Sequence, residues 1–194
     1  MTPEMQVAIV GVAGTVIGTV LGWLLNNFSQ RGKLNCYVVS WKDEFKRNGE
    51  EEITNLDIAQ TETQLYSYSF SLDIYNSCAS TKIMRGIEVV FMKGKDELKV
   101  DIPFNEATKR TTQHLTFYDK ITPINIPPKA VAKLNLQNYF WKSEQSIDFI
   151  WNSNKVYLRY IDENNKKRKI LLNTDLYSNH FNKLTLEENE DGQA

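Results

Sequence analysis

Residues 66–76 read YSYSFSLDIYN. Tyr66, Tyr68, Phe70, Leu72 and Ile74 fall on one face. Ser67, Ser69, Ser71 and Asp73 fall on the other. Aromatic and branched residues at a period of two mark a strand that buries one face. NSCAST (76–81) then supplies turn chemistry, and MRGIEVVFMKG (84–94) reads as a strand buried on both sides. KGKDE (Lys93–Glu97) is a tight polar link. LKVDIPF alternates again, with Leu98, Val100, Ile102 and Phe104 on one face.

Upstream, KLNCYVVSW (33–41) is the first strand, and 43–65 is charged and loop-like. Downstream, 105–122 is more polar, with HLTFY (114–118) a candidate short strand. ITPINIPPKAVAKLNLQ (121–137) reads as an edge strand, a proline break at Pro127 and Pro128, and another strand, because proline removes a ladder donor. SIDFIW (146–151) follows, counted with the strands. A hairpin is then expected, from Val156 to Ile161, a loop over Asp162–Lys166, and Lys167 to Leu172. Seven to nine short strands with no convincing amphipathic helix between them predict an antiparallel two-sheet β-sandwich.

The strand lengths, the DIYNSCAST turn and the proline-led INIPPKAVAKLNL resemble an immunoglobulin-like or fibronectin-like sandwich over residues 34–172. The resemblance is one of fold and transfers no activity. In antibody-type domains the core tryptophan lies on the strand after the first cysteine. Here Trp41 follows Cys36 on the same strand.

Ahead of the sandwich lies GTVIGTVLGWLLNN (14–27), inside an uncharged stretch between Glu4 and Arg31. Its apolar part, Val7 to Leu25, makes a helix about 28 Å long at ~1.5 Å per residue, against a hydrocarbon layer of ~30 Å. Trp23 sits near the second edge, where amphipathic rings favour the interface. A signal peptide competes poorly: MTPEMQ has no basic residue and WLLNNF is a weak cleavage site. A buried soluble helix competes worse, because glycine costs ~1 kcal/mol against alanine in a water-soluble helix. The expectation is a short tail (1–6), a transmembrane helix (7–28), a linker (29–33), the sandwich (34–175) and a polar acidic tail, partly disordered (176–194). Arg31 and Lys33 beyond the span, with no basic side chain before it, put the domain in the cytoplasm and the N-terminus outside. Cys36 and Cys78 read as free thiols there; a reversed topology would let them pair.

The chain has 194 residues and a net charge of −1. Glu4 set aside, the part beyond the span is formally neutral, which gives no general attraction to nucleic acid. Cys36, Cys78, His114 and His180 lack zinc-ligand spacing. No phosphate-binding loop or nucleophile elbow is present, and the carboxylates at Asp43/Glu44 and Glu50–Glu52 sit in charge runs. No catalytic residue, cofactor, metal or small-molecule substrate is therefore expected.

Three features remain as interaction candidates. Gly11, Gly14, Gly18 and Gly22 form a small-residue stripe on one helix face, which lets two spans approach closely, either as a homo-oligomer or with another membrane protein. Tyr139, Phe140 and Trp141, in a loop-like position, pack at a corner or anchor a protein partner. Lys166, Lys167, Arg168 and Lys169 at the hairpin end guard an edge or meet the lipid bilayer. The reading is a non-enzymatic membrane protein presenting a β-sandwich for protein contact. The alternatives are a membrane-disrupting effector with a sensing domain and an extracellular adhesion or ligand-binding module.

Overall fold

Strict alternation in 65–76 gives a strand whose even-numbered side chains are all buried. Tyr66, Leu72 and Ile74 are fully covered, and Tyr68 and Phe70 nearly so. Burial of such side chains contributes roughly 1.5–3 kcal/mol each, so this strand alone makes a large part of the core. In the computed structural model, residues 2–29, 32–47, 63–113, 115–142 and 147–176 are described. They comprise α1 (Pro3–Ser29), β1 (Leu34–Lys46), β2 (Leu65–Asn76), β3 (Lys82–Lys93), β4 (Asp96–Val100) and β5 (Phe104–Thr111). They continue with β6 (Thr116–Lys120), β7 (Ile124–Ile126), β8 (Val131–Trp141), α2 (Ile147–Trp151), β9 (Lys155–Ile161) and β10 (Lys167–Asn173).

The strands form two antiparallel sheets, in the orders β1-β2-β8-β5-β6 and β10-β9-β3-β4, with β7 on the first residues of β3. The predicted sandwich behind an N-terminal apolar helix is the observed architecture. Inner residues of β2 and β8 meet Met84, Ile87, Val89 and Phe91 of β3 and Val156, Leu158 and Tyr160 of β9. Trp41 stacks on Tyr68 and Phe70 from β1, with centroids 5.4 and 5.7 Å apart. Gly86, at φ +56°, sits where the β3–β9 register shifts between Arg85 and Glu88. A bulge of this kind favours glycine.

Four local expectations change. β1 runs on through Lys46, because its charged residues have partners: Asp43 accepts from Trp41 Nε1 (3.0 Å) and Tyr66 Oη (3.1 Å), and Glu44 from Ser67 Oγ (3.0 Å). LKVDIPF is not one strand. The chain crosses between sheets after Val100, Pro103 is buried and Ile102 faces out. SIDFIW carries the helix α2, with Ile147, Ile150 and Trp151 at helical spacing against the core and Trp151 on Phe45. Tyr139–Trp141 are the end of β8 rather than a loop. Residues 48–62 of the expected loop, His114 and the acidic tail from 177 lie outside the described residues.

α1 is the one helix among the described residues long and apolar enough to cross a membrane. None of its apolar window is buried against the sandwich.

Candidate interaction surface

The strand registers place several chain segments at one end of the sandwich. Leu34 opens β1 opposite Asn76, the last residue of β2. Val131 opens β8 opposite Tyr75, and Lys82 opens β3 opposite Ile126. Ile161 closes β9 opposite both Lys167 and Arg85. The turn 77–81, the turn 127–130 and the hairpin loop 162–166 therefore gather where the chain arrives from α1.

The arriving linker is docked. A Cβ on Gly32 would lie 2.4 Å from the Ser77 carbonyl carbon and 2.5 Å from the Cys78 nitrogen, so only glycine fits this approach. The Lys33 N–H donates to Ser77 Oγ (2.9 Å), and the Lys33 carbonyl accepts from Ser77 Oγ (2.8 Å) and Ser77 N–H (3.1 Å). Buried Asn76 holds the turn beneath. Its amide donates to the carbonyls of Ser80 (2.8 Å), Ile126 (3.0 Å) and Pro127 (3.0 Å), and its Oδ1 accepts from the Cys78 N–H (2.9 Å).

The hairpin loop is built around Asp162. Its Oδ1 accepts from the N–H groups of Asn164 (3.0 Å) and Lys166 (2.8 Å), and its Oδ2 from Arg168 Nε (2.8 Å). Burial acts to raise the pKa of this carboxyl. The backbone donors and Arg168 outweigh it and hold the group below its ordinary value. Asn165 takes φ 63°, a left-handed turn position that asparagine tolerates, and its Oδ1 accepts from Arg85 Nη2 (3.0 Å). Glu163 is ion-paired with Lys82. A cleft of about 390 Å³ separates this loop from the linker, lined by residues that include Gly32, Lys33, Lys82, Glu163 and Arg168.

Lys33 thus faces, across this cleft, the hairpin that carries Lys166, Lys167, Arg168 and Lys169, although Lys169 turns onto the Tyr157 ring at 4.9 Å. Arg31 lies outside the described residues. Tyr139, Phe140 and Trp141 are at the other end of the domain, where β8 finishes opposite the start of β2. Phe140 is core, whereas Tyr139 and Trp141 are exposed, and Tyr139 stacks on Phe104. Along α1, a Cβ at Gly11, Gly14, Gly18 or Gly22 would meet nothing within 4 Å. Thr15 and Thr19 beside them turn their hydroxyls back to the carbonyls of Gly11 (3.0 Å) and Thr15 (2.8 Å).

A second concavity, about 470 Å³, lies on the five-stranded sheet and is lined by Lys42, Glu44, Ser67, Ser69, Tyr118, Gln137 and Tyr139 among others. Ser67 and Ser69 lie on the face of β2 opposite the core, and only their cross-strand neighbours make the hollow. Cys36 and Cys78 are free thiols, and burial pushes the Cys36 thiol up to about 11, which makes it a poor nucleophile. Among the described residues no group of three His, Cys, Asp or Glu side chains could hold a metal ion.

Two packed antiparallel sheets behind an apolar helix define an immunoglobulin-like sandwich protein. Residues 32–173 match the YopI Ig-like domain family, and the chain belongs to that family. It is similar to the SPbeta prophage-derived uncharacterized protein YopI of Bacillus subtilis (strain 168), with 25% identity over 164 residues, covering 84% of this chain and 92% of that protein. Among solved structures, it is similar to the ApaA protein from Bordetella pertussis (8% identity, TM-score 0.35, 73% of this chain and 89% of that one). A protein from Archaeoglobus fulgidus is similar at 11% identity and TM-score 0.36, over 70% of this chain and 92% of that one.

Proposed function

We propose that this chain is a non-enzymatic, single-pass membrane protein that presents its immunoglobulin-like domain to the cytoplasm for protein–protein contact. The observation that carries the reading is the docked linker. An exposed apolar helix ends at Ser29, and Gly32 and Lys33 are already fixed on the Asn76–Cys78 turn. A domain seated that close to a span is held at the bilayer rather than on a loose tether. Arg31 and Lys33 after the span orient it with the N-terminus outside. Tyr139 and Trp141, exposed at the end away from the linker, are suited to engage a partner protein. The stripe of Gly11, Gly14, Gly18 and Gly22 brings two spans together, with close backbone packing as the driving force. No charged side chain lies between Glu4 and Arg31 to line a pore, which weighs against a membrane-disrupting effector.

The test is extraction and self-association of the full chain in cells. The protein stays with membranes through alkaline carbonate washing, and Gly18→Ile weakens its self-association in a membrane two-hybrid assay. Release by carbonate would refute the anchor. Unchanged association in Gly18→Ile would remove the glycine stripe as the contact.

A further inference from the structure

We propose that the linker end of the sandwich is a basic platform that rests on anionic lipid headgroups, so that the domain is held against the bilayer by its own surface as well as by its span. The proposal rests on the membrane-anchored reading above.

Segments far apart in sequence bring their charges to this one end. Lys33 comes from the linker, Lys82 and Arg85 from the start of β3, and Lys129 from the 127–130 turn. Lys166, Lys167 and Arg168 come from the β9–β10 hairpin. Against them stand Asp162 and Glu163, and both are engaged. Asp162 accepts from two backbone N–H groups and Arg168, and Glu163 is paired with Lys82. Lys33, Lys129, Lys166 and Lys167 are exposed and have no acidic partner among the described residues. Lys129 occupies a left-handed turn position at φ 56°, where glycine or asparagine is the ordinary choice, and its Nζ donates to the Ser77 carbonyl at 2.6 Å. That bond ties this cation to the same turn that holds the linker.

The β3–β4 hairpin at the far end carries a smaller excess. Lys93, Lys95 and, from the start of β9, Lys155 stand there beside Asp96 and Glu97, and Glu97 also accepts from Arg159. The larger excess of cations therefore lies on the side of the span, although the total charge is near zero.

From Ser29 to Gly32 the chain takes three steps, at most ~11 Å even when fully extended. The Debye length at physiological ionic strength is ~8 Å, so this end sits close enough for its span-facing cations to feel the surface potential of an anionic leaflet. Lysine is suited to the task, being a compact charge on a flexible stem that need not match a fixed ligand geometry.

Lysine footprinting of the full chain in nanodiscs tests the platform. Discs of phosphatidylcholine are compared with discs containing equal parts phosphatidylcholine and phosphatidylglycerol. An amine-reactive acylating reagent is applied, and labelling is read at each lysine by mass spectrometry. Labelling at Lys129, Lys166 and Lys167 falls about fivefold in the anionic discs. Lys93 and Lys95 react equally in both. High salt removes the protection at all three, and in a Lys166→Glu/Lys167→Glu variant the protection of the remaining Lys129 is lost. Equal labelling of Lys129, Lys166 and Lys167 in the two discs, with the protein co-eluting with both, would overturn the platform and leave the anchor standing. Failure of the protein to co-elute with either disc would overturn the anchor and the platform with it.

Discussion

Gly32→Ala is the sharpest perturbation of the seat between span and sandwich. The added methyl would lie 2.4 Å from the Ser77 carbonyl carbon, 2.5 Å from the Cys78 nitrogen and 2.5 Å from the Ser77 oxygen. Ordinary carbon contacts need about 3.5–4.0 Å. All three atoms are backbone, so no side chain can swing aside, and the linker must lift away. Lifting it breaks the bonds from Lys33 N–H to Ser77 Oγ (2.9 Å), from Ser77 Oγ to the Lys33 carbonyl (2.8 Å) and from Ser77 N–H to the same carbonyl (3.1 Å). At roughly 0.5–1.5 kcal/mol each, and toward the lower end because water can replace them, the loss is about 2 kcal/mol. For a chain of this size that lowers Tm by roughly 6 °C. Thermal unfolding of the full chain in detergent micelles, followed by tryptophan fluorescence, measures the shift. Hydrogen exchange at Ser77 reports undocking separately from unfolding. Ser77→Ala keeps its N–H bond and loses only the hydroxyl pair, so it costs about 1 kcal/mol. A Gly32→Ala protein with unchanged Tm and a Ser77 amide still protected would refute the docked linker.

Phe140→Ala removes a side chain only 3% exposed and lowers stability by about 3–5 kcal/mol. Tyr139→Ala, one position along at 54% exposure, leaves the denaturation midpoint close to wild type while weakening capture of a cytoplasmic partner. Asn76→Ala deletes the buried amide that three carbonyls share, and urea denaturation registers a loss of about 3 kcal/mol or more. The depressed pKa of Asp162 fixes the sign of a pH effect. Its contribution is complete above the unfolded value of about 3.9 and is lost as pH falls through the lower folded value. Urea midpoints therefore drop more steeply below about pH 4 in the wild type than in Asp162→Asn, and parallel curves would refute the assignment.

Much of the fold is legible where one strand carries its own signal. The β2 alternation predicts the buried face residue by residue, and the β9–β10 hairpin falls where Val156–Ile161 and Lys167–Leu172 place it. The losses have physical causes. Charged Asp43–Lys46 look like a loop until Asp43 and Glu44 find their hydroxyl and indole donors on neighbouring side chains. In SIDFIW a run of six cannot separate helix from strand, although Ile147, Ile150 and Trp151 already have helical spacing. At Ile102–Pro103 the alternation continues while the chain changes sheets. The surface at the linker end was legible only in its parts. Lys166–Lys169 and Lys33 are visible as basic residues, but Gly32, Ser77, Lys129 and Glu163 meet only once both sheets are paired.

Topology tests the central claim most directly. Alkaline phosphatase and a cytoplasm-fluorescent protein are fused in turn to the C-terminus of the full chain and expressed in bacterial cells. The orientation set by Arg31 and Lys33 predicts a fluorescent fusion and an inactive phosphatase. An active phosphatase with a dark fluorescent fusion would put the sandwich outside and contradict the account.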